Sequence, residues 1–164
     1  MAGSALADTP AGLNIPASAC IPNKASWDLL DLSSGSWIFA SAETGTATLW
    51  CPVSLANWQW DNGTYQTINL IHLWYRDSDG GLAPTSVSAQ LFLREPNDLG
   101  ITAVSGASIS SNGSGVTGNN QVYVDIDSYL MVGALYFVKV TMVRASTAQS
   151  ANFHGLSLTT FTGY

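Results

Sequence analysis

Residues 66–76 (QTINLIHLWYR) alternate without a break. Ile68, Leu70, His72 and Trp74 fall on one side of an extended chain, and Asn69, Ile71, Leu73 and Tyr75 on the other. A period of two is the signature of a β-strand, because successive side chains point to opposite faces of a sheet. Both sides carry large apolar residues, so this strand is expected to be covered on both faces. Trp74, and by the same reasoning Phe137 in the run at 135–144, is then expected in the core.

Seven further runs have strand character: 37–40 (WIFA), 47–53 (ATLWCPV), 86–94 (SVSAQLFLR), 101–109, 121–127, 135–144 (LYFVKVTMVR) and 152–161 (NFHGLSLTTF). Turn signals separate them, among them Ser33-Ser34-Gly35-Ser36, Asp61-Asn62-Gly63 and Asp77-Ser78-Asp79-Gly80-Gly81. About eight short strands with no amphipathic helix predict a single all-β domain, an antiparallel β-sandwich of jelly-roll type. Residues 27–164 are assigned to this domain. Residues 1–26, rich in Ala, Ser, Pro and Gly, read as an extended N-terminal arm outside the core. Leu13 and Ile15 are the arm's candidate contact residues, suited to strand addition on a sheet edge of its own domain or of a neighbour.

Charge narrows the function. Only 10% of the 164 residues are charged, with a net charge of −6. The five basic residues, Lys24, Arg76, Arg94, Lys139 and Arg144, form no cluster. Nucleic-acid binding needs Lys and Arg in patches, so no nucleic-acid partner is expected. No apolar run approaches the roughly 18 residues of a helical span, and no membrane insertion is expected. Residues 1–19 also lack the charged and apolar regions of a secretory signal.

Reactive chemistry is sparse. His72 and His154 sit inside apparent strands with no acid or nucleophile at a recognisable spacing, and read as structural. Hydrolase elbows, phosphate-binding loops and zinc-binding motifs are all missing from the sequence. The chain is therefore expected not to be an enzyme. Cys20 and Cys51 share a Cys-x-Pro or Cys-Pro context. Either they are two buried thiols, or they close a loop of about 30 residues in a disulfide that contributes roughly 3–4 kcal/mol.

Two candidate binding features remain. Asp77 and Asp79 alternate on a glycine turn, which brings hard oxygen ligands within reach of a calcium ion. The same Asp-Gly chemistry serves a hairpin with no metal, and no other cofactor is expected. Trp58, Trp60 and Tyr65 flank the turn at 61–64, so a loop could present flat rings beside amide and carboxylate groups. Rings in such a loop stack on sugars, anchor a protein partner, or plug one end of the sandwich.

The succession of a polar arm, W-x-F at 37–39, L-W-C-P-V at 49–53, I-x-L-x-L-W-Y-R-D-x-D-G over the long strand and its turn, and F-H-G-L-S-L at 153–158 resembles small jelly-roll domains. Such domains are those of phage decoration and tail-fibre proteins and of secreted bacterial β-sandwich proteins. The resemblance implies a structural protein at a virion surface or outside the cell. Such a protein assembles with itself as a trimer or polymer, or docks on a capsid or other structural protein. The alternative expectation is a carbohydrate-binding or adhesive module that uses the aromatic loop.

Overall fold

A computed structural model describes residues 11–54, 67–81, 84–129 and 134–160. Its strands are β1 (Ala11–Pro16), β2 (Ile21–Pro22), β3 (Leu30–Ser33), β4 (Ser36–Phe39), β5 (Gly45–Val53), β6 (Thr67–Asp77), β7 (Ser86–Arg94), β8 (Thr102–Ser110), β9 (Gly118–Tyr129), β10 (Leu135–Arg144) and β11 (Ala151–Thr160). All pairings are antiparallel. One sheet runs β3-β4-β11-β6-β9, with β1 also on β11, and the other runs β2-β5-β10-β7-β8. From β4 to β11 consecutive strands alternate between the sheets, save for the adjacent pair β7 and β8. Strand order β4-β11-β6-β9 facing β5-β10-β7-β8 is that of two interleaved Greek keys. The chain is a jelly roll.

Alternation accounts for the core. β10 buries Tyr136, Val138, Val140 and Met142 and turns Phe137, Lys139, Thr141 and Val143 outward. In β6 a bulge between Ile68 and Leu70 brings Ile68 onto the same inner face as Ile71, Leu73 and Tyr75. Each large aliphatic side chain so buried contributes about 1.5–3 kcal/mol relative to exposure.

Two core assignments change. Trp74 lies on the outer face of its sheet and Phe137 on the outer face of the other, each half-buried. Tyr75 and Phe153 are the fully buried aromatics instead. Alternation gives two faces of a strand without saying which one is inside, and in β6 the inner face is that of Ile71, Leu73 and Tyr75.

The segment expected as an arm apart from the core is, over residues 11–26, part of the sandwich. β1 pairs with β11 from Ala11↔Thr160 to Pro16↔Gly155. Ile15, Ala17 and Cys20 are buried in the core, and Leu13 packs against it. The chain then crosses to the other sheet, where Ile21 and Pro22 pair with Trp50 and Leu49. Cys20 is bonded to Cys51 at this crossing (S–S 2.02 Å, Cα–Cα 4.1 Å). The Trp37 indole N–H donates to the carbonyls of Ala17 (2.9 Å) and Cys20 (3.1 Å), pinning the crossing to β4. Gly155 makes room for β1: it has φ +147°, and a Cβ there would lie 2.9 Å from the Ile15 carbonyl oxygen.

Candidate functional site

The outer face of the β6–β9–β11 sheet gathers polar and aromatic side chains in rows, because antiparallel register sets partners side by side. His72 stands opposite Tyr123 on β9 and Ser157 on β11, and Ser157 in turn stands opposite Asn14 on β1. In the next row Trp74 lies between Gln121 and Gly155, and beyond it Arg76 lies between Asn119 and Asn152. Asp125 stands opposite Leu70 on the other side. Small residues on β11 (Gly155, Ser157 and Thr159) keep that part of the face low.

The rings form a platform. His72 stacks on Trp74 with centroids 6.1 Å apart and planes at 22°. His72 also meets Tyr123 at 5.7 Å and 33°. Tyr123 is 65% exposed, an unusual position for so large a ring. The Trp74 indole N–H donates to Gln121 Oε1 at 2.9 Å, which fixes both side chains. An open groove of about 590 Å³ runs beside this ridge, lined by Trp74, Tyr75, Asn119, Asn120, Gln121 and His154. His154 sits at the β11 bulge and shares a 2.8 Å hydrogen bond through Nδ1 with Ser36 Oγ. Burial, reinforced by the positive charge of Arg76, holds its pKa below the usual histidine value. A neutral His154 shapes the groove floor, whereas His72 is a surface ring and no core histidine.

The opposite outer face differs in character. Trp50 makes edge contacts with Phe92 (5.7 Å) and Phe137 (6.2 Å). An apolar groove of about 400 Å³ there is lined by Ile21, Trp50, Cys51, Pro52, Ile101 and Phe137. Ile21 and Ile101 are exposed, as is Leu135 at the start of β10.

Trp58, Trp60 and Tyr65 lie outside the described residues. Leu13 and Ile15 are engaged by β11 and the core of their own domain, so neither is offered to a partner. Asp77 and Asp79 are brought together at the end of β6. Asp77 is fully buried: its Oδ2 accepts from Ser111 Oγ at 2.5 Å and its Oδ1 from the Asp79 amide at 3.2 Å. Asp79 Oδ2 accepts from the Thr85 amide (3.0 Å) and from Gln149 Nε2 (3.1 Å). Burial pushes the Asp77 carboxyl above the ordinary aspartate range; the Ser111 hydrogen bond opposes the shift and the Asp79 carboxyl adds to it. Among the described residues no group of three or more His, Cys, Asp or Glu side chains is placed to hold a metal. No helix among them is long and apolar enough to cross a membrane.

The platform of His72, Trp74, Gln121 and Tyr123 was not singled out from sequence. Its signal was present in two alternations, His72-Trp74-Arg76 and Gln121-Tyr123-Asp125, which only strand pairing sets side by side.

No protein-family model matches the sequence, and no curated protein matches it. Among solved structures the chain is similar to a family 29 carbohydrate-binding module, at 10% identity and a TM-score of 0.43 over 93% of this chain and 90% of that one. It is similar to a family two carbohydrate esterase from Cellvibrio japonicus at 11% identity and a TM-score of 0.43, over 93% of this chain and 35% of the esterase chain. It is also similar to a chain of infectious bursal disease virus, Gx strain, at 15% identity and a TM-score of 0.40, over 95% of this chain and 33% of the viral one. The chain thus spans about a third of the esterase and viral chains. Likenesses at this level assign no activity, and the fold assignment rests on the strand order itself.

Proposed function

We propose that this jelly roll is a non-catalytic carbohydrate-binding module acting outside the cell, with its glycan lying across the β6–β9 face. The observation that carries the reading is the exposed Tyr123 ring, clustered with His72 and Trp74 and bordered by Asn119, Gln121 and Asp125. A sugar presents apolar C–H faces and a rim of hydroxyls. Flat amphipathic rings take the first, and amides and a carboxylate take the second. Few basic residues and a net charge of −6 favour neutral glycans over polyanions. The test is affinity electrophoresis and calorimetry against neutral polysaccharides. Tyr123→Ala should lose at least about tenfold in affinity with an unchanged Tm, since the ring is exposed and its loss opens no cavity. The reading fails if no neutral polysaccharide binds the native chain, or if Tyr123→Ala binds as tightly as the native chain does.

A second reading, self-assembly into a structural oligomer, is favoured by the Trp50, Phe92 and Phe137 face. An apolar face that also leaves Ile21, Ile101 and Leu135 exposed is the usual mark of a protein interface. Sedimentation velocity at micromolar concentration should then show a dimer or larger species that Trp50→Ser dissociates. A native chain that sediments as a monomer throughout would remove this reading.

A further inference from the structure

The turn after β6 is sewn to two neighbouring loops. Ser78 N donates to the Ser150 carbonyl (3.1 Å), Ser150 N donates to Ser78 Oγ (2.8 Å), and Ser111 Oγ bridges Asp77 Oδ2 and the Val87 amide. Gly80 lets the turn close down on residues 115–117: a Cβ there would meet Thr117 Cγ2 at 2.8 Å. Within this enclosure three buried oxygens have no hydrogen-bond partner among the described residues: Asp79 Oδ1, Thr85 Oγ1 and Gln149 Oε1. All three belong to residues that meet at Asp79 Oδ2, since Thr85 and Gln149 both donate to it. Thr85 is fully buried, so its unpartnered hydroxyl has no recourse to bulk water.

Charge makes the same demand. Two carboxylates adjoin each other in this enclosure, and no described cation is bonded to either. Arg144, which reaches the loop at 146–150, donates to the carbonyls of Ala40, Glu43, Ser146, Thr147 and Gln149. The three unpartnered atoms of the enclosure are all oxygens, from a carboxylate, a hydroxyl and an amide. An oxygen-only set of mixed charge on a loop framework is the environment of a hard divalent cation, and its flexibility suits calcium better than the strict octahedron of magnesium.

We propose that Asp79, Thr85 and Gln149, backed by the buried carboxylate of Asp77, form a structural calcium site that locks the turn after β6 to the loop at 146–150. The site lies off the platform, and the proposal is independent of the glycan reading. It is tested on the full chain after chelator treatment and dialysis, with calcium chloride as the probe. Calcium should produce a saturable rise in Tm of roughly 5 °C or more, reversed by chelator and not reproduced by magnesium at equal concentration. Calorimetry should give one site per chain. Asp79→Asn and the near-isosteric Thr85→Val should each weaken binding at least about tenfold, whereas Asp31→Asn, an exposed acid elsewhere, should bind as the native chain does. If Asp79→Asn does not fold, Thr85→Val decides alone. No saturable response to calcium would overturn the proposal. An equal response to magnesium, or full calcium affinity in Thr85→Val, would overturn it as well.

Discussion

His154 shows how one side chain couples this fold to pH. Its ring is held neutral by burial, with the Arg76 charge adding to the effect, and Nδ1 is engaged by Ser36. The unfolded chain takes up a proton near the ordinary histidine value of 6.5, whereas the folded chain resists until a lower pH. The unfolded state therefore binds more protons in that window. Stability is present above pH 6.5 and is lost as pH falls through the folded value. Urea denaturation at pH 7 and pH 5 should show a larger loss in the native chain than in His154→Gln, which keeps a polar group for Ser36 but does not titrate. Equal losses in the two proteins would mean that His154 is not held neutral. Gly155, its neighbour, was legible in the sequence only as a glycine in a strand. Its reason, the approach of the Ile15 carbonyl, needs the register of β1 against β11.

At the level of elements, β1 completes the edge of β11 where β4 leaves off. β4 pairs with Asn152 and Phe153 only, and β1 takes over from Gly155 to Thr160. Removing residues 1–16 would bare one edge of β11 from Gly155 to Thr160 and uncover the site of Ile15. Loss of that one buried aliphatic chain alone amounts to about 2–5 kcal/mol. A bare edge strand also templates intermolecular pairing. The truncated chain should unfold at lower urea and elute partly as aggregate in size-exclusion chromatography, even with Cys20 and Cys51 still bonded. An unchanged midpoint and a single native-size peak would show β1 to be dispensable. The eight strands from β4 to β11 were legible because each is an alternating or apolar run between turn signals. β1 to β3 were not: Pro16 and Pro22 interrupt the pattern, β2 is only two residues long, and three of the four residues of β3 are exposed.

For the whole molecule, strand content was readable from periodicity, but the pairing that makes it a jelly roll is a non-local property. The same limit explains the candidate site. The sequence drew attention to rings close together in the chain, Trp58, Trp60 and Tyr65. The structure brings together rings and amides far apart in it, from residues 72–76, 119–125 and 152–159. Inward and outward faces also differ less than usual here, since Trp50, Trp74, Phe92 and Phe137 all stand on outer faces. An aromatic in an alternating strand is therefore weak evidence of burial in a chain so poor in charge.

The two outer faces of a sandwich point in opposite directions, so what binds at one cannot share a plane with what binds at the other. Two copies joined back to back through Trp50, Phe92 and Phe137 would carry their Tyr123 rings on opposite ends of the pair. Such a pair gains little avidity for a single flat polysaccharide surface, because it cannot set both rings on it at once. It would act instead as a rivet between two surfaces. Mixed with soluble polymeric glycan, it should agglutinate the polymer into a network, and turbidity should vanish with either Trp50→Ser or Tyr123→Ala. Turbidity that survives Trp50→Ser would locate the bridging elsewhere.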